Sequence, residues 1–322
     1  VIPADLLGPA AALGASLTWA LGVAFYSALG ERYAPATINF TRAAFALPFF
    51  LVWAFAAEGL GAFAAFEAVG WGRVAWFCLS MTASFAFGDA LFLWSTQSLG
   101  PAGALAIASI YPLWPALAGW VMRGESLSGV SIAGFFVILA GTVLVILSPA
   151  RRVASRADAH PQAGAARVSA PAWAVGKTAG VLLALGTSLC WGLNAWTVSK
   201  AGAGLTVPVA NVVRMGVAAL LCPLIGLVMS PGARLALPWP DLRRLLWVFV
   251  LEGFLGTVFY FYGITNSKLA VGAVLTSVAP VVVVPVALAL GREKFSLKRS
   301  LGVLAVFVGI CLLLGGSAPQ PG

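Results

Sequence analysis

The sequence predicts an all-α integral membrane protein: ten transmembrane helices arranged as two inverted-topology five-helix repeats. Three observations carry that prediction. The first is composition. Of 322 residues, 61% are hydrophobic and only 9% charged, with a mean hydropathy of +0.99; a soluble domain carries roughly 25% charged residues. Most of the surface must therefore face lipid. The second is a duplication. AALGASLTWALG (11–22) returns as LALGTSLCWGLN (183–194), so that Gly14, Ser16 and Trp19 recur 172 positions later as Gly186, Ser188 and Trp191. At the same offset Asn39 and Arg42 recur as Asn211 and Arg214. A second echo closes each half: SIYPLWPALAGWVMRGESL (109–127) matches SVAPVVVVPVALALGREKFSL (277–297), pairing Pro112 with Pro280 and Glu125 with Glu293, 168 positions apart. Such long-period self-similarity fixes the architecture before any single element does. The third observation is parity. An odd number of spans per repeat makes the second repeat enter the bilayer in the opposite sense, which is the inverted-repeat arrangement.

A span needs about 20 apolar residues. In chain order the first repeat (6–148) offers spans at 6–29, 34–57, 71–95, 103–122 and 130–147. PARRVASRADAHPQAGAARVSAPA follows, within a basic segment (149–172) rich in Ala, Arg and Pro and lacking an apolar period, which reads as a flexible linker. The second repeat (173–316) offers spans at 173–198, 205–229, 242–265, 271–290 and 301–315. The N-terminus has no basic stretch before its apolar run, so that run reads as a retained helix rather than a cleaved leader.

Composition also excludes several classes. A net charge of +9 would suit a nucleic-acid partner in a soluble protein. Here the basic residues lie between apolar runs, where anionic headgroups and the cytoplasmic charge bias account for them. No phosphate-binding Walker loop occurs, no metal-ligand spacing occurs, and His160, the single histidine, sits in the linker. Cys78, Cys190, Cys222 and Cys311 are scattered through apolar runs and read as small buried hydrophobes. No cofactor, metal or catalytic group is expected.

The chemistry then rests on a few polar residues inside spans, where an isolated ionised group costs roughly 2.5–3.5 kcal/mol or more. Asp89 lies in FAFGDALFLWSTQ and Glu252 in VFVLEGFLGTVFYFYG; at the 168-position offset Asp89 aligns with Thr257, and Glu252 with Ser84. Each half thus brings one acid, as a proton-coupling group, an acceptor for a substrate ammonium, or a hydrogen-bonded structural acid. Asn39–Arg42 and Asn211–Arg214 place an amide and a guanidinium on one helix face. They read as gate or structural polar pairs, open to pairing with the acids or with a substrate carboxylate. Among the aromatic residues, Trp19, Trp191, Trp94 and Tyr262 are the candidate walls of a cavity. The last two lie beside polar runs. Pro112 and Pro115 interrupt the fourth span, and Pro280 and Pro285 the ninth, as hinges or static kinks.

The two tryptophan segments, the Asn-x-x-Arg after each, and the closing Pro…Glu pattern together resemble the EamA branch of the drug/metabolite transporter superfamily, across both halves of the chain. The resemblance implies a ten-helix secondary transporter, often an exporter of amino acids or other small metabolites. On that expectation the partners are a small-molecule substrate, the lipid bilayer and protons as coupling ion, in a bacterial inner membrane, as a monomer or homodimer. The same fold also suits an importer of nucleosides, vitamins or sugar derivatives. An intramembrane lipid-acting enzyme would need clustered catalytic groups, and an accessory subunit would not need polar residues recurring inside both halves. Orientation is divided. Arg32, the linker arginines, Arg234, Arg243, Arg244, Arg292, Lys294, Lys298 and Arg299 place the linker in the cytoplasm and both termini outside. The resemblance implies both termini inside.

Overall fold

The structure, a computed structural model, describes residues 3–114, 128–148, 176–267, 272, 275–289 and 295–315. Every regular element among them is helical. The first half holds α1 (Ala4–Leu29), α2 (Pro35–Glu58), α3 (Gly61–Met81), a π-helical segment (Thr82–Gly88), α4 (Asp89–Ala108) and α5 (Gly129–Leu147). The second holds α6 (Lys177–Ala201), α7 (Val207–Met229), the short α8 (Trp239–Arg244) and single turn α9 (Leu246–Val248), a second π segment (Phe249–Gly256), α10 (Thr257–Thr265), α11 (Ala279–Ala289) and α12 (Leu297–Gly315). Among the described residues six helical stretches are long and apolar enough to cross a bilayer. The linker lies outside them.

Helices satisfy their backbone groups internally, which is why an apolar chain can cross lipid in this form. The side chains are sorted as a lipid solvent demands. On α7, Leu220, Leu224, Leu227 and Val228 face outward while Asn211, Arg214 and Cys222 are buried. The protein is an integral membrane protein that buries the polar residues of this helix.

Two glycines mark breaks that apolar periodicity alone does not show. Gly70 (φ 69°, ψ 153°) interrupts α3, and Gly100 (φ 74°, ψ 163°) interrupts α4. Those backbone angles suit only glycine. Pro101 then restarts the helix, where its fixed φ and missing N–H do no harm. The 48-residue stretch Gly61–Ala108 is therefore several helical pieces rather than one rod.

The halves interlock. α1 packs on α10 and α11, α6 packs on α4, α2 on α7, and α5 on α12, so each half's first helix lies against the other half. Glycines permit the closest of these contacts. A Cβ on Gly134 would stand 2.7 Å from the Gly309 carbonyl, and one on Gly141 would stand 2.8 Å from the Gly302 carbonyl. As α5 advances from 134 to 141, α12 retreats from 309 to 302, so these equivalent helices run antiparallel. At the centre Trp19 and Trp191, equivalent in the repeat, meet edge-on with ring centroids 5.6 Å apart. That contact marks the internal two-fold axis.

The α1–α2 connection is tied to α8. Arg32 pairs with Asp241 at 3.0 Å, and the Tyr33 hydroxyl donates to the same carboxylate. Arg32 is 35% exposed, and such pairs contribute little, about 1 kcal/mol at most. Asp241→Asn is expected to lower the unfolding free energy in detergent by no more than that amount; a larger loss would mean the tie is a principal brace.

Candidate functional site

The two π segments occupy equivalent places: Gly88 and Gly256, 168 positions apart, each end one of them. Each glycine lets its turn press on the other half's first helix. A Cβ on Gly88 would stand 3.1 Å from the Trp191 ring, and one on Gly256 would stand 2.8 Å from the Thr18 hydroxyl. π turns widen a helix and re-aim side chains, and they are frequent at functional sites. Glu252 lies within the second, and Asp89 follows the first directly. Both acids are thereby turned inward.

They converge on Arg42. Its Nε and Nη2 donate to Glu252 Oε2 and Oε1 at 3.0 and 2.5 Å, a bidentate pair, while Nη1 donates to Asp89 Oδ2 at 2.6 Å and to Asn39 Oδ1 at 3.0 Å. The Tyr26 hydroxyl donates to Glu252 Oε2 at 2.5 Å, and Trp191 Nε1 to Asp89 Oδ1 at 3.1 Å. The guanidinium also lies against the rings of Phe85, Tyr26 and Trp19, at 4.7, 4.9 and 5.2 Å from their centroids. All three ionised side chains are at most 6% exposed. One cation therefore holds two anions from different helices, and the cluster stitches α2 and α4 of the first half to the second half's π segment.

The cluster forms part of the wall of a cavity of about 790 Å³, the space at its mouth included. Arg42, Asp89, Glu252, Trp19 and Trp191 line it together with Ser16, Thr18, Ser84, Ser109, Tyr111, Asn194, Arg214, Thr257, Tyr260 and Thr276. Two of its walls are helix breaks. The chain turns at 109–112 and at 277–278, with i→i+3 hydrogen bonds such as Tyr111 N–H to the Ala108 carbonyl and Val281 N–H to the Val278 carbonyl. Tyr111 and Thr276 share a hydrogen bond across these breaks. Irregular backbone at this depth is tolerated where it lines a cavity.

Of the candidate residues, Asp89, Glu252, Trp19, Trp191, Arg42 and Arg214 line this space. Asn39 and Asn211 stand behind the arginines, each accepting from an Nη1, at 3.0 and 2.8 Å. Trp94 and Tyr262 are not among the residues that line this cavity. Each lies five residues beyond a lining position, Asp89 or Thr257, a rotation of about 140° on an α-helix. Trp94 packs instead with Leu183 in a separate cluster. Tyr260 takes the place expected of Tyr262. Pro112 lies in the first break and Pro280 follows the second, while α11 runs on through Pro285. Pro115 lies outside the described residues.

Sequence reasoning did not single out Tyr26, Asn194, Tyr260 or Thr276. Tyr26 falls one turn beyond Gly22, where a Cβ would meet Glu252 Cγ at 2.9 Å. Asn194 occupies the position equivalent to Gly22 and donates to the Tyr260 hydroxyl at 2.8 Å. A glycine in one repeat opposite an asparagine in the other is the signal that these positions differ in role.

A search of curated proteins finds no match. One solved crystal structure superposes with a TM-score of 0.61 over 96% of this chain and 95% of that chain, at 19% identity, a likeness of fold alone. A model of the EamA-like transporter family matches twice, over residues 6–147 and 178–315. Together these matches span most of the chain, which belongs to the EamA-like transporter family.

Proposed function

We propose that the chain is a secondary active transporter that moves a small organic metabolite by alternating access about the central cavity, with export of an amino-acid-like or amphipathic solute and proton exchange as its driving force. The observation that carries this reading is the Arg42–Asp89–Glu252 cluster at the cavity wall. One guanidinium cannot neutralise two carboxylates, so the ionised cluster holds one surplus negative charge in a low-dielectric site. A proton taken by either acid removes that surplus and weakens one arm of the stitch between the halves. In the other state the same acid releases the proton. Antiparallel equivalent helices, the Trp19–Trp191 axis and the paired breaks at 109–112 and 277–278 support ten spans in two inverted repeats, 6–148 and 173–316, rocking about that axis. The family's character and the apolar exterior support a bacterial inner membrane as the setting. The direction of transport follows the family resemblance.

The test is metabolomics of spent medium from cells overproducing the wild type, Asp89→Asn or Glu252→Gln, with and without a protonophore. One solute should accumulate with the wild type and fall at least tenfold with each variant and with the protonophore. Accumulation that survives both variants and the protonophore would remove proton coupling through this cluster. If folded wild type exports nothing, uptake into purified-protein liposomes decides between an importer and a non-transporting protein.

A further inference from the structure

The internal two-fold axis makes Arg214 the counterpart of Arg42, and the two guanidinium groups are held alike. Each spends Nη1 on the asparagine three residues earlier, Asn39 or Asn211. Their other edges differ completely. The Nε–Nη2 edge of Arg42 is filled by the Glu252 carboxylate. Arg214 is 2% exposed; among the described residues its buried Nε has no hydrogen-bond partner and it forms no ion pair, and its guanidinium lies over the faces of Tyr260 and Phe261, at 5.7 and 6.0 Å.

The repeat explains the vacancy. The residues that would occupy the places of Glu252 and Asp89 around Arg214 are Ser84 and Thr257. Both line the same cavity as Arg214. The fold has thus built one complete arginine–carboxylate site and, across the axis, a second that lacks its acids. A buried guanidinium left without an anion carries a large desolvation cost, which an anionic ligand would offset. We infer that Arg214, which shares its cavity with Ser84 and Thr257, recognises the carboxylate of the transported solute, which takes the place that Glu252 holds at Arg42.

The chemistry narrows the class. A planar monoanion matches the Nε–Nη2 fork, as Glu252 already demonstrates at the equivalent edge. The two guanidinium groups and two carboxylates that line the cavity balance one another, so a phosphate dianion would leave two uncompensated negative charges there whereas a zwitterion leaves none. The surplus charge at Arg42 favours a cationic group elsewhere on the same solute, and Trp19, Trp191 and Tyr260 offer an apolar wall between the two. The substrate class is a zwitterionic amino carboxylate.

This inference deepens the transport reading but can fail apart from it. Purified wild type in detergent would be melted with each of the twenty common L-amino acids beside its carboxamide. At least one acid should raise the unfolding temperature by about 3 °C or more when well above its Kd, and its amide should not. Arg214→Gln should abolish the shift, and Arg214→Lys, which keeps charge but loses the fork, should weaken binding at least tenfold. Ser84→Glu supplies the missing acid; it should raise the melting temperature of the unliganded protein and abolish the ligand shift. No acid binding better than its amide overturns the inference, as does a shift retained in Arg214→Gln. Liposome flux of any probe that survives Arg214→Gln also overturns it and leaves transport standing. Acid-selective binding without flux would keep the site and remove the transport reading.

Discussion

Arg42→Met should destabilise the protein by about 3–5 kcal/mol, the range seen when one partner of a buried ion pair is removed. The magnitude follows from what remains. Asp89 and Glu252 would face each other at the cavity wall with no cation between them, and the hydroxyl of Tyr26 and the indole N–H of Trp191 would be their remaining donors there. The neighbouring rings of Phe85, Tyr26 and Trp19 would lose the guanidinium they pack against. Thermal or denaturant unfolding in detergent measures the loss. The same experiment separates charge from packing. Adding Asp89→Asn and Glu252→Gln to Arg42→Met removes all three charges, and replacement of a whole buried triad is often close to neutral. The triple variant should therefore recover most of the stability while remaining inactive in transport. If Arg42→Met melts like the wild type, the acids are not ionised together and the surplus-charge argument for coupling falls.

How much of this site the sequence discloses depends on the kind of signal. Asp89 and Glu252 stand out because ionised residues in apolar runs demand a partner or a purpose. Arg42 and Arg214 stand out because they recur with their asparagines at one offset. The repeat itself exposes the architecture, since Trp19 and Trp191 can be paired before any helix is built. What the sequence withholds is phase. The π segments at Thr82–Gly88 and Phe249–Gly256 shift the register of everything after them, so that Tyr260 and not Tyr262 reaches the cavity. Partner choice is withheld too. Both arginines look alike in the sequence, yet Arg42 collects both acids because Glu252 crosses from the other half, leaving Arg214 with none among the described residues. A contact across 210 positions leaves no trace in local pattern. The breaks at Gly70 and Gly100 are similarly hidden, since a glycine in an apolar helix is compatible with close packing as well as with positive φ.

The second large effect lies away from the cavity, on the α5–α12 seam. Gly134→Leu is expected to cost about 3 kcal/mol or more, the upper range for overpacking a tight contact. Here the obstacle is backbone, which cannot rotate aside as a side chain can. A Cβ alone on Gly134 would stand 2.4 Å from the Leu313 nitrogen and 2.7 Å from the Gly309 carbonyl. Its two-fold counterpart faces the same limit: a Cβ on Gly302 would meet the Gly141 carbonyl at 2.8 Å. Gly302→Leu should therefore match Gly134→Leu, because the axis relates the two clashes. Gly216→Ala on α7 is the control. Nothing lies within 4 Å of a Cβ there, so the change should stay within about 1 kcal/mol and lean towards stabilisation through helix propensity. Melting of the three variants in one detergent decides the matter. Equal losses at 134 and 302 with none at 216 would mean that the seam is a rigid spine joining the halves. A tolerated leucine at 134 would instead mean that α5 and α12 can separate, and the pivot of any rocking motion would then have to be sought at the Trp19–Trp191 contact.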